Sequence, residues 1–135
     1  MADLSDAQRA FLEDNPFPGV VTTLRADGSP HSTVVWLDTD GSGVVRFNTA
    51  RGRAKEKHLA RDARVSALVI DPADQYRWVA VTGTATLTEE GGDAHIDKLA
   101  KTYLDADSYA FRNATEIRVI VSIAVERVDS SGFGA

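Results

Sequence analysis

The sequence predicts a mainly β protein, an antiparallel barrel with helices packed on its outside. Six runs rich in Val, Ile and Thr are each bounded by turn residues. Their order along the chain is helix, three strands, helix, two strands, helix, strand. The strands are joined mainly by hairpins and short excursions, which favours an antiparallel barrel over a doubly wound parallel sheet. The length of 135 residues suits one domain spanning residues 1–135 with a substantial core.

Each element has a local reason. Ser5-Asp-Ala-Gln8 has the form of a capping box, and Leu4, Ala7, Ala10 and Phe11 follow at helical spacing. Asn15-Pro-Phe-Pro18 ends that helix, because proline cannot continue it and restricts the residue before it. Gly19 to Arg25 reads as the first strand, and the Asp27-Gly28 pair as a hairpin turn. Pro30 to Asp38 is the return strand, and Asp40-Gly-Ser-Gly43 turns into a third strand, Val44 to Thr49. A short helix from about Arg53 to Asp62 precedes a fourth strand, Val65 to Ile70, stopped by Asp71-Pro72. Tyr76 to Thr88 is a long fifth strand, in which Gly83 marks a bulge or a close backbone approach. Glu90 to Leu104 is a helix with Ile96, Leu99, Ala100, Tyr103 and Leu104 on one face. In the last strand, Ile117 to Val128, Ile117, Val119, Val121, Ile123 and Val125 alternate toward one side.

Composition removes several classes of function. The net charge of −5 argues against general nucleic-acid binding, whose electrostatic part needs a basic surface. With no cysteine, the chain has no disulfide, thiolate metal site or cysteine nucleophile. No signal-peptide pattern and no apolar run of membrane-spanning length is visible, so a cytoplasmic protein without a membrane span is expected. His31, His58 and His95 fall far apart on three elements, which gives a metal site no support. There is no phosphate loop, dinucleotide fingerprint or nucleophile elbow, so a bound cofactor is expected to carry the chemistry.

Against the acidic background, Arg51, Arg53, Lys55, Lys57, Arg61 and Arg64 crowd into one window after a strand. Backbone N–H groups at a helix start and flexible cations can converge there on one phosphate. The competing reading is a solvated basic helix face.

Longer segments carry a resemblance. Thr22-Thr-Leu-Arg-Ala-Asp-Gly-Ser-Pro-His31, followed by Val34-Val-Trp36, resembles the opening hairpin of the pyridoxamine-phosphate-oxidase-like split-barrel flavoproteins. Phe47-Asn-Thr-Ala-Arg-Gly-Arg-Ala-Lys55 and Leu59-Ala-Arg-Asp-Ala-Arg-Val65 resemble that superfamily's phosphate-binding segment. Trp78-Val-Ala-Val-Thr-Gly-Thr-Ala85 resembles the strand after it, and Val125-Glu-Arg-Val128 the closing strand. The spacing Arg53-Ala-Lys55 and the following Leu59-Ala-Arg-Asp look most like the small enzymes that use the deazaflavin coenzyme F420.

The resemblance implies a six-stranded Greek-key split barrel, a homodimer with cofactor sites at the subunit interface, and hydride transfer to a conjugated small-molecule acceptor. Coenzyme F420 is the expected cofactor and FMN the alternative. No basic substrate-binding motif follows Val128, so pyridoxamine phosphate is not expected as substrate.

Arg53 and Lys55 are the expected phosphate ligands, with Arg51 beside them. Asn48 and Thr49, at a strand end, are placed to meet a ring or phosphate. Ser32, Thr33, Val34 and Val35 would meet the ring edge through backbone groups. Tyr76 and Trp78, and less directly Trp36, are candidates for stacking on a cofactor or acceptor, from either subunit. Aromatic surface from these three, expected on adjacent strands, is a reason to expect the dimer. His31 is expected to be a hairpin residue, and no general acid is identifiable.

Overall fold

The computed structural model describes residues 3–111 and 113–133. Its core is a curled antiparallel sheet of seven strands in the order β2-β1-β5-β6-β7-β4-β3. The strands are β1 (Gly19–Leu24), β2 (Pro30–Val35), β3 (Leu37–Thr39), β4 (Val45–Ala50), β5 (Arg64–Asp71), β6 (Asp74–Thr88) and β7 (Arg118–Ser131). Three helices accompany them: α1 (Asp6–Glu13), α2 (Ala54–Arg61) and α3 (Gly92–Leu104).

The six strands expected become seven because the return strand breaks at Trp36. Its first half, β2, pairs with β1, and its second half, β3, pairs with β4. These halves are the two ends of the sheet, so a single residue joins its edges and the sheet curls into a split barrel. The phenol of Tyr103 secures the break: it accepts from the Leu37 N–H at 3.0 Å and donates to the Phe17 carbonyl at 2.8 Å.

Other elements follow their local signals. Ser5 and Gln8 cap α1 reciprocally. Strand β6 shifts register against β7 between Thr82 and Gly83. A Cβ on Gly83 would lie 2.0 Å from the Ala124 carbonyl oxygen, so the bulge and the close backbone approach coincide there. Val21, Leu37, Val45, Phe47, Val79, Val121 and Ile123 fill the barrel interior. The last strand starts one residue later than expected. Ile117 is exposed outside it, and Arg118 is buried instead. On α3 the buried face includes His95 with Ile96, Leu99 and Ala100, whereas Leu104 is exposed.

Candidate functional site

Strand β4 ends in Asn48, Thr49 and Ala50, and the chain then turns through Arg51 and Gly52 into α2. Gly52 has φ of +89°, a conformation that costs glycine little and other residues more. Arg53 is the N-cap of α2 and makes no side-chain cap bond, so N–H groups of the first turn stay open to an anion. This turn, the break at Trp36 and the inner face of α3 enclose a cleft of about 200 Å³. Val34, Val35, Trp36, Asn48, Thr49, Arg53, Lys55, Ile96, Leu99 and Tyr109 line it.

Six expected site residues therefore meet around one cavity: Val34, Val35, Asn48, Thr49, Arg53 and Lys55. The others lie elsewhere in the subunit. Arg51 is engaged by Glu89 at 2.8 Å and Glu56 at 3.6 Å. Ser32 is exposed, with its hydroxyl 2.8 Å from that of Thr22. Thr33 faces inward, and its hydroxyl is buried without a partner among the described residues. Tyr76 and Trp78 are on β6, two strands beyond β1, so they and Trp36 do not share adjacent strands as expected. Trp36 instead stacks on Tyr103, with ring centroids 5.5 Å apart, and meets Tyr109 edge-on at 6.2 Å. His31 and His58, expected far apart, have ring centroids 5.0 Å apart, because His58 bonds Thr23 of β1 and His31 is the residue paired with Thr23 across β1 and β2.

The electrostatics of the cleft are uneven. Arg53 donates to Glu116 at 2.6 Å. Lys55 is half-buried, and no described carboxylate pairs with it. Burial first, then the positive charges of Arg53 and Arg118, hold its ammonium below the usual lysine range. The Thr49 hydroxyl is likewise buried without a partner among the described residues. An unpaired cation beside an unsatisfied hydroxyl is the donor set that a phosphate oxygen needs. The residues present thus fit an anionic cofactor. Strand β2 also ends the sheet, so alternate residues turn backbone N–H and C=O groups outward, free to meet a ring edge.

Behind the cleft lies a buried polar chain invisible to motif reading. The Asp38 carboxylate accepts from Arg46 at 3.0 and 2.9 Å, from His95 Nε2 at 3.0 Å and from Lys98 at 2.9 Å. Burial alone would raise its pKa, but the bonds from His95, Arg46 and Lys98 outweigh this and hold it at about 2. Asn48 donates to His95 Nδ1 at 3.1 Å and to the Gly92 carbonyl at 2.9 Å. Its oxygen accepts from Arg118 Nε at 2.8 Å. Among these, only Asn48 carried a sequence signal, as a polar residue at a strand end. The others are scattered over β3, β4, α3 and β7. Among the described residues, no helix is long and apolar enough to cross a membrane, and no cluster of three or more His, Cys, Asp or Glu residues could hold a metal.

Comparison with known proteins agrees with this architecture. One relative, the F420H(2)-dependent biliverdin reductase of Mycobacterium tuberculosis (strain CDC 1551 / Oshkosh), is 30% identical over 127 residues, covering 93% of this chain and 86% of that protein. A solved structure described as an F420 reductase superposes with a TM-score of 0.78 at 27% identity, over 89% of this chain and 94% of that one. A putative pyridoxamine 5'-phosphate oxidase from Listeria innocua shares the fold, with a TM-score of 0.67 at 20% identity, over 90% of this chain and 92% of that one. The sequence profile of the pyridoxamine 5'-phosphate oxidase family matches residues 4–132, and the chain belongs to that family.

Proposed function

We propose that this protein is a coenzyme F420-dependent reductase that passes a hydride to a conjugated small-molecule acceptor of the quinone, tetrapyrrole or enone type. The observation that carries this reading is Lys55, a half-buried ammonium in the cleft with no described carboxylate to balance it. The relative named for F420H(2) and biliverdin, a tetrapyrrole, supports both the cofactor and the acceptor class.

In this reading, Lys55 and Arg53 hold the phosphate, assisted by the Thr49 hydroxyl and the open N–H groups of α2. The free edge of β2 at Val34 and Val35 orients the ring, with Ser32 and Thr33 extending that edge. Asn48 stiffens the cleft wall, and Arg51 steadies the turn through Glu89 and Glu56. The bound deazaflavin supplies the hydride. Ile96, Leu99 and Trp36 keep water from the reacting faces.

A cleft of about 200 Å³ is small for a whole deazaflavin cofactor, so we propose that a second copy completes the site in a homodimer. Exposed Tyr76 and neighbouring Trp78 are the groups it would bring. Titration of the purified protein with F420 and with FMN tests the reading. Tighter binding of F420, with turnover of a conjugated acceptor by its reduced form, is expected. Preference for FMN would replace the cofactor, and F420 binding without turnover would make the protein a carrier.

A further inference from the structure

A continuous line of side chains runs from the buried core to the cations of the cleft: Asp38, His95, Asn48, Arg118, Glu116 and Arg53. His95 sits at its hinge. It is buried on α3 and does not line the cleft. We propose that His95 is a positioning residue for the anion subsite, acting through the Asn48 amide on Arg118 and Glu116. The inference rests on the phosphate-binding reading above.

The hydrogen bonds leave one consistent arrangement. The Asp38 carboxylate can only accept, so His95 Nε2 carries a proton, and the Asn48 N–H that faces Nδ1, its amide fixed by the Gly92 carbonyl and Arg118 Nε, makes Nδ1 the acceptor. Nδ1 takes one N–H of Asn48, and the Gly92 carbonyl takes the other. Two acceptors on one side force the Asn48 oxygen toward Arg118 Nε, a donor. With the amide reversed, its NH₂ would face the guanidinium and its oxygen the Gly92 carbonyl, leaving buried groups unsatisfied.

Held this way, Arg118 lies with its guanidinium carbon 5.3 Å from the ring centroid of Tyr109, which lines the cleft. Its Nη1 donates to Glu116 at 2.7 Å, and the other oxygen of Glu116 takes Arg53 at 2.6 Å. One amide orientation therefore governs where both arginines point.

The test compares two conservative variants. His95→Gln keeps a donor for Asp38 but loses the acceptor for Asn48. His95→Asn keeps an acceptor near Asn48 but loses the bond to the buried Asp38. The readouts are the F420 dissociation constant, the melting temperature, and protection of the Arg118 Nε–H against exchange by NMR. His95→Gln should weaken F420 roughly 10-fold and expose the Arg118 Nε–H, whereas His95→Asn should stay within about threefold. His95→Asn should lose the more thermal stability, so affinity and stability rank the variants oppositely. Affinity that instead follows stability, or an Arg118 signal unchanged in His95→Gln, would overturn the assignment. If neither variant folds, the tautomer in the wild type decides. Nε2–H supports the proposal, and Nδ1–H overturns it. Failure of the wild type to bind F420 would reject the cofactor reading, while the Arg118 signal still decides the role of His95.

Discussion

Arg53 and Glu116 form an ion pair, with Nη2 2.6 Å from Oε2, beside the cleft that Arg53 lines. Arg118 donates to the other oxygen of the same carboxylate at 2.7 Å. Glu116 thus partly neutralises two cations, whereas Lys55 has no such partner among the described residues. In the proposed site, an incoming phosphate would compete with Glu116 for Arg53 but would meet no described carboxylate at Lys55.

Lys55→Ala should therefore lose more cofactor affinity than Arg53→Ala, roughly 1.5–3 kcal/mol, the scale of a hydrogen bond to a charged group. The cofactor-free protein should not be destabilised by Lys55→Ala, because the change removes an unpaired, half-buried charge. Paired titrations and melting curves check both statements.

Affinity should also depend on alkaline pH. Burial and the neighbouring Arg53 and Arg118 lower the Lys55 pKa, and a phosphate favours its protonated form. Binding should be full at neutral pH and decline as pH rises through the lowered value, before an ordinary lysine would titrate. Lys55→Arg should remove this decline, because guanidinium does not deprotonate in that range. Titrations across the alkaline range test it.

Acid stability should depend on Asp38. Its pKa falls from 3.8 in the unfolded chain to about 2 in the folded protein. Its stabilisation is therefore complete above the unfolded value and is lost as pH falls through the folded one. The difference is worth about 2 kcal/mol. Asp38→Asn should flatten the acid limb of the stability curve. At neutral pH it should cost roughly 3–5 kcal/mol, since Arg46 and Lys98 lose a buried carboxylate. Denaturant melts between neutral pH and about pH 2 measure both.

The barrel was legible because its signals are local. Asp27-Gly28 sets a hairpin, Gly83 a bulge, and Ser5 with Gln8 a helix start. The lining of the cleft was partly legible, because Asn48, Thr49, Arg53 and Lys55 are close in sequence around one strand end. The break at Trp36 was not legible, since it depends on Tyr103, 66 positions away from Leu37. The nearness of His31 to His58 and the line from Asp38 to Arg118 depend in the same way on tertiary pairing. No periodicity reveals that Asn48 meets an arginine 70 positions later. Ile117 was misplaced for a related reason. Its alternation with Val119 continues the apolar pattern, but the ladder with β4 opens at the Ala50–Arg118 pair, which leaves Ile117 exposed and Arg118 buried.

In the proposed function, Arg53 and Lys55 hold the phosphate of a deazaflavin cofactor. The most direct measurement is an F420 titration of the wild type against the Arg53→Ala/Lys55→Ala double variant, at equal thermal stability. Tight binding by the wild type and a loss of at least about 100-fold in the double variant are expected, with the fold intact. Unchanged affinity in the double variant would overturn the assignment and leave the basic segment as a solvated helix face.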